Sequence, residues 1–338
     1  MTGATKIPVF LLTGFLGAGK TTLLNAALRA PALANTAVVV NELGETGLDN
    51  LIIAEANDNV VLLDAGCLCC ANTGALHETL ADLAARRASG ALPPFERVII
   101  ETSGAADPAP LLNVLLGHPL VTAQYAQEAT VCVADAQHFL AARAKYPELD
   151  KQAALAERIV VSKRDLADPA PLLVFLRELN PVAELFLDAP AIGAFLPYAG
   201  RHRPRAPLGT LGPIRAHGSV SAIRAYSFRP AFSVTWAGWS AWSRLVASEF
   251  GARLIRVKGL LRMDDSGEVV FVQGVQGVFH APHRFRDWPD ADRGNRLVCI
   301  ARDLQAAEIE ATLPALGTTP GTQAFYSMKD LQERQARQ

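Results

Sequence analysis

The stretch Gly14-Phe15-Leu16-Gly17-Ala18-Gly19-Lys20-Thr21 constrains this chain more than any other feature. It follows an apolar run at 7–12 and precedes a helical pattern from Lys20 to Ala30. Glycines at 14, 17 and 19 let the backbone curl until its N–H groups point inward, the form of a phosphate cradle. A helix starting there adds the positive end of its dipole. Read this way, Gly14, Gly17, Ala18 and Gly19 present backbone to phosphate and Lys20 reaches the β- and γ-phosphates. The Thr21 hydroxyl ligates Mg²⁺, and Thr22 continues the contact.

Further apolar runs lie at 37–40, 60–63, 98–100, 131–134 and 159–161, with helical stretches at 74–88, 109–116 and 171–179. Buried runs alternating with helices predict an α/β fold, a P-loop NTPase with a mostly parallel sheet and helices on both faces. Open sheets of that kind bind ligands at the carboxyl ends of their strands. This domain is expected to occupy 1–195. A Pro-, Gly- and Arg-rich linker spans 196–216, a smaller C-terminal α+β domain 217–322, and a polar tail 323–338. In the second domain the pattern predicts strands at 219–228, 254–261, 269–273 and 296–301, and helices at 239–250 and 304–316. Trp236, Trp239 and Trp242 share one apolar helix face there.

The formal net charge of −1 supplies no field for nucleic acid or an anionic membrane, so neither is expected as a partner. The apolar runs fall far short of the roughly 20 residues of a membrane helix. The first run ends in the glycine loop and reads as a strand rather than a signal peptide. Five cysteines, three of them at 67, 69 and 70, argue against a disulfide framework and for a reducing cytoplasm.

Cys67-Leu68-Cys69-Cys70 places three thiolates close enough to share one ion. Tetrahedral thiolate chemistry favours Zn²⁺ and also accepts Co²⁺. Buried small hydrophobes are the plain alternative, but three in four residues beside Gly66 fill a core awkwardly. Cys132 and Cys299 lie in apolar runs and read as core. Ser162-Lys163-Arg164-Asp165 resembles the guanine-reading Asn-Lys-x-Asp motif, with Ser in place of Asn. The Asp165 carboxylate can accept from the ring N–H and the exocyclic amine of guanine, which is worth about a hundredfold over adenine. Lys163 would lie along the base. GTP is therefore the expected nucleotide. Glu101-Thr102-Ser103-Gly104 closes another run, with Glu101 near Mg²⁺ and Gly104 offering its N–H to the γ-phosphate. Asn41-Glu42-Leu43-Gly44-Glu45 reads as a loop able to approach the same metal.

The ordered set Gly-Phe-Leu-Gly-Ala-Gly-Lys-Thr-Thr, Asn-Glu-Leu-Gly-Glu, Gly-Cys-Leu-Cys-Cys, Glu-Thr-Ser-Gly and Ser-Lys-Arg-Asp resembles the CobW-type P-loop GTPases, relatives of the urease and hydrogenase nickel-insertion GTPases. Arg256-Val257-Lys258-Gly259, Gln273-Gly274-Val275 and Asn295-Arg296-Leu297-Val298 are similar to the C-terminal module of that family. The resemblance implies a slow GTPase and metallochaperone that couples GTP hydrolysis to metal transfer to a client metalloprotein. It implies catalytic roles for Lys20, Glu101 and Glu42, and a metal site at Cys67, Cys69 and Cys70 with Glu42. It also implies a nucleotide-dependent homodimer, common among related GTPases, and an accessory metal histidine at His118, which as a lone loop histidine reads as merely exposed. Ala65, Thr73 and Ala75 depart from the family pattern, which has Asn before the Gly-Cys pair and Arg-Gly-Asp-Leu after the cysteines. The rivals are a regulatory GTPase that senses thiol oxidation without metal cargo, and an ATP-using biosynthetic enzyme.

Overall fold

The computed structural model describes residues 6–40, 60–64, 73–187, 191–197 and 222–319. The chain divides into two compact units, Met1–Val174 with Ala183–His202, and Phe175–Val182 with Arg203–Gln338.

The first unit carries strands β1 (Ile7–Gly14), β2 (Thr36–Val40), β3 (Val60–Asp64), β4 (Arg97–Glu101), β5 (Tyr125–Asp135), β6 (Arg158–Ser162) and β7 (Glu184–Phe186). They form one seven-stranded sheet in the order β3-β2-β4-β1-β5-β6-β7. Every pairing in it is parallel. The apolar runs are continuous because both faces are covered. Phe10 and Leu12 pack with Leu24, Ala27 and Leu28 of helix α1 (Lys20–Leu28). Val9 and Leu11, of opposite parity along the strand, are equally buried, as are Leu76, Leu80 and Leu83 of α2 (Thr73–Ala88). The other helices are α3 (Ala109–Gly117), α4 (Pro119–Gln124), α5 (Phe139–Ala142) and α6 (Glu148–Leu155), and α7 (Ala170–Leu179) begins in this unit and runs past its boundary at Val174.

Register follows from the parallel order. Val40 pairs with both Asp64 and Glu101, Leu12 pairs with Glu101, and Asp135 pairs with Ser162. One edge of the sheet therefore gathers the carboxyl ends of β1 through β6. The polar motifs begin at that edge, as expected of an open α/β sheet.

The second unit is antiparallel. Strands β8 (Ile223–Phe228), β9 (Leu254–Arg262), β10 (Val269–Val275), β11 (Val278–Phe279) and β13 (Arg296–Arg302) run in the order β11-β10-β9-β13-β8, and β12 (His283–Phe285) also pairs with β10. Helix α8 (Trp236–Phe250) covers one face and starts at Thr235, whose hydroxyl accepts from the Gly238 N–H at 2.9 Å. Trp239 and Trp242 lie in this core with Val257, Leu261 and Leu297. Trp242 Nε1 donates to Thr312 Oγ1 at 2.8 Å, so the indole is buried without leaving its donor unmet. Trp236 packs at the core's edge and donates from Nε1 to Ser266 Oγ at 3.2 Å.

The continuous helix expected at 304–316 is instead α9 (Ala306–Glu310) followed by a separate 3-10 turn, Leu313–Gly317. Pro314 lies in the first turn of that second piece and has no N–H to carry an α-helix through. The β8 strand starts at Ile223, and 219–221, most of the linker and the tail lie outside the described residues. Among the described residues no helix is long and apolar enough to cross a membrane.

His280 is 7% exposed and its backbone N–H donates to Gln273 O at 3.1 Å. Burial, reinforced by the Arg256 charge, pushes its pKa down to about 4 from the ordinary 6.5. The folded chain holds the ring neutral, whereas the unfolded chain protonates it below about 6.5. Stability should thus fall as pH drops from about 6.5 towards 4, by about 2 kcal/mol at pH 5 from this group. Urea unfolding at pH 7 and pH 5 checks it: His280→Gln should lose that part of the pH dependence.

Candidate functional site

The loop between β1 and α1 is shaped by its glycines. Gly14 sits at φ +142°, and a Cβ there would lie 2.6 Å from Val133 O on the neighbouring strand. Only glycine lets β1 lie this close to β5 as the chain turns. Gly17 and Gly19 also have positive φ, and Gly19 is the left-handed N-cap of α1. Gly19 supplies no side-chain cap, so the first-turn amides are left for another acceptor. Ala18 is buried, with its N–H on Phe15 O at 3.1 Å. Lys20 Nζ folds back to donate to Gly14 O at 3.0 Å and Phe15 O at 3.4 Å.

Parallel pairing of β1 with β4 brings two distant residues together. Thr21 Oγ1 donates to Glu101 Oε1 at 2.9 Å. Glu101 is buried, and the following Thr102 N–H donates to Leu12 O at 2.9 Å. Gly104 comes so near the glycine loop that a Cβ would sit 2.6 Å from the Leu16 amide nitrogen. Leu16, Gly17, Gly19, Lys20, Thr21, Thr22 and Glu101 through Ala105 line one cleft of about 500 Å³. Thr102 Oγ1, buried in that lining, has no hydrogen-bond partner among the described residues. Hydroxyl and carboxylate oxygens side by side are the hard donors that Mg²⁺ takes. A lysine ammonium and a helix N-terminus beside them suit the phosphates it accompanies, so the residues present fit a Mg²⁺-nucleotide.

On the other flank, Ser162 Oγ donates to Ala18 O at 2.7 Å, tying the base motif to the phosphate loop. Lys163 adopts φ +53°, uncommon for a residue with a Cβ, and its Nζ lies 2.5 Å from Asp135 Oδ2. Asp135 also accepts from His138 Nδ1 at 3.1 Å and from the Gln137 N–H at 2.8 Å. Burial works to raise the Asp135 pKa. The hydrogen bonds from Lys163, His138 and Gln137 outweigh it and hold the carboxyl below the ordinary carboxylate value. Asp165, two residues past Lys163, is exposed. Sequence reasoning missed Asp135. A charged residue ending the apolar run at 131–134 was the available signal.

Glu42, Cys67, Cys69, Cys70 and Ala65 lie outside the described residues. Among the described residues no cluster of three or more metal-ligating side chains forms. Cys132 and Cys299 are core residues, and burial pushes both thiols up to about 12. His118 is not the lone exposed histidine expected. It is half-buried between α3 and α4, stacked on His77 of α2 with ring centroids 4.3 Å apart. The Nδ1 of His118 has no hydrogen-bond partner among the described residues. No local pattern could have paired two residues so far apart in the chain.

Comparison with known proteins agrees with this geometry. Residues 8–184 match the family described as CobW/HypB/UreG, nucleotide-binding domain, and 223–316 match the cobalamin synthesis protein cobW C-terminal domain. The chain is 29% identical to the zinc chaperone YjiA of Escherichia coli K12, over 92% of this chain and 98% of that one. It is also 29% identical to the zinc chaperone CobW of Pseudomonas aeruginosa, over 90% of each. The crystal structure of Zn(II)-bound YjiA GTPase from E. coli superposes with a TM-score of 0.68 at 25% identity, covering 93% of this chain and 99% of that one. With more than half its length inside the first match and most of the remainder inside the second, the chain belongs to the CobW/HypB/UreG family of nucleotide-binding proteins.

Proposed function

We propose that this chain is a GTP-dependent metallochaperone that carries zinc, with cobalt the next best fit, and hands it to a client metalloprotein as GTP is hydrolysed to GDP and phosphate. The observation that supports this best is the register at the sheet edge. Asp64, which leads into the cysteine stretch, is aligned with Val40, and Val40 with Glu101. The cysteine segment therefore starts two strand spacings, about 10 Å, from the carboxylate beside Thr21. The Glu42 segment starts from the strand between them. A nucleotide bound at Thr21 and a metal bound by Cys67, Cys69 and Cys70 would be separated by a distance one loop can bridge. Two relatives named as zinc chaperones and one zinc-bound GTPase structure support the same reading.

In this reading the loop from Gly14 to Thr22 holds the phosphates, and Lys20 releases its two carbonyls to meet the β- and γ-oxygens. Thr21 and Glu101 hold Mg²⁺, which when bound neutralises charge on the triphosphate. Gly104 meets the γ-phosphate. Ser162 and Lys163 shape the base pocket, and Asp165 selects guanine. Cys67, Cys69 and Cys70 take the cargo as thiolates, with Glu42 completing the shell and His118, now with His77 beside it, as an accessory ligand. Triphosphate orders the 41–50 and 64–75 segments into a tight site, and hydrolysis loosens it. A ligand shifts this equilibrium only by its differential affinity for the two states. Reduced thiolates suit a cytoplasmic setting, and a nucleotide-dependent homodimer suits the family.

Two outcomes are expected. Anaerobically purified protein should bind one zinc tightly per chain, and Cys69→Ser should weaken that binding at least tenfold without changing the GTP affinity of the zinc-free protein. Unchanged zinc affinity in Cys69→Ser would remove the cargo from this stretch. Second, wild type should prefer GTP to ATP by about a hundredfold, and Asp165→Ala should lose most of that preference. Competition binding with a fluorescent nucleotide reads both, and a preference that survives the substitution would place base selection elsewhere.

A further inference from the structure

The loop at 103–107 is held from behind by two consecutive residues of α6. Gln152 is 1% exposed, and its Nε2 donates to Gly104 O at 3.0 Å and Ala106 O at 3.1 Å. Lys151 Nζ lies 2.5 Å from Asp107 Oδ2, while Asp107 Oδ1 accepts the Ala109 N–H at 3.0 Å at the start of α3. The loop also closes on itself, with the Ala106 N–H on Ser103 O at 3.0 Å. Helix α6 is a firm anchor. Asp150 receives a two-point bond from Arg143 at 2.8 and 2.6 Å, and Leu149, Ala153, Ala154 and Leu155 are buried.

Both amide hydrogens of Gln152 are thus spent on carbonyls of the segment whose Gly104 lines the cleft. A glutamine used so fixes the Gly104–Ala105 and Ala106–Asp107 peptide planes. It does not touch the cleft, so it acts on whatever the cleft holds only through the loop. Donors fixed before reaction need no reorganisation as charge develops, and a loop free to tilt would lose that advantage. We propose that Gln152, seconded by Lys151, is a positioning residue that sets the 103–107 loop against the terminal phosphate and so favours GTP over GDP and speeds hydrolysis. The inference rests on the cleft being the triphosphate site.

The test uses full-length Gln152→Leu, which keeps volume but removes both donors, and Lys151→Met, a milder change at the partly exposed end of the tether. Hydrolysis under saturating GTP is read together with affinities for GDP and for a non-hydrolysable GTP analogue. Expected are a kcat lower by about tenfold or more in Gln152→Leu and about threefold in Lys151→Met, with GDP affinity within about twofold of wild type and analogue affinity reduced. A merely structural role would lower both nucleotide affinities together. That result, or wild-type kcat and wild-type analogue affinity, overturns the proposal. Should Gln152→Leu fail to fold, Lys151→Met decides. Lys20→Ala runs in parallel: if it retains nucleotide, the cleft reading falls and this proposal with it. If it loses nucleotide while the tether variants behave as wild type, only the tether is refuted.

Discussion

The hydrogen bond from Thr21 to Glu101 joins residues eighty apart in the chain and exists because β1 and β4 pair in parallel and in register. Parallel pairing sends both strands out at the same edge, so the glycine loop that ends β1 meets the carboxylate that ends β4. Gly104 marks how closely the two segments approach, since a methyl there would meet the Leu16 backbone at 2.6 Å, and Gly14 marks an equal closeness of β1 to Val133 on β5. The buried Glu101 carboxylate accepts the Thr21 hydroxyl, and the same two oxygens are the ones a hard cation would take.

The rest of the first unit supports that contact. Ser162 ties the phosphate loop to the end of β6, and Asp135 holds Lys163 in a backbone conformation a lysine rarely adopts. Gln152 and Lys151 hold the segment after Glu101. On the other side of β4, strands β2 and β3 carry the chain to the same edge and then into 41–45 and 65–72. Under the proposed function, nucleotide state and metal occupancy would meet along one line of strand ends, with β2 and β4 as the structure between them.

Much of this was legible because parallel strands buried on both faces read as unbroken apolar runs, and every run but the one at 131–134 led to a recognisable motif. Val38-Val39 and Ile99-Ile100 declare their strands without help. β5 extends well before its apolar run because Gln127 and Glu128 lie among its half-buried early residues, where polar side chains hide the strand period. β7 was missed since a three-residue edge strand leaves no pattern. The helix expected at 304–316 failed on Pro314, a local breaker outweighed by a favourable apolar count. In the site, Gly17, Gly19, Lys20, Thr21, Thr22, Glu101 and Gly104 line one cleft, while Asp135, Gln152 and His77 were not read from the sequence. Those three act through tertiary neighbours far along the chain, and periodicity carries no information about such pairs.

The central claim is that filling the triphosphate cleft changes how firmly the cysteine stretch grips its ion. Its most direct measurement is zinc affinity by chelator competition, with Mg²⁺ and a saturating non-hydrolysable GTP analogue against Mg²⁺ and GDP. Coupling through the strand ends requires at least a tenfold tighter grip with the analogue, and loss of that difference in Thr21→Ala. Equal zinc affinity in both nucleotide states would contradict it.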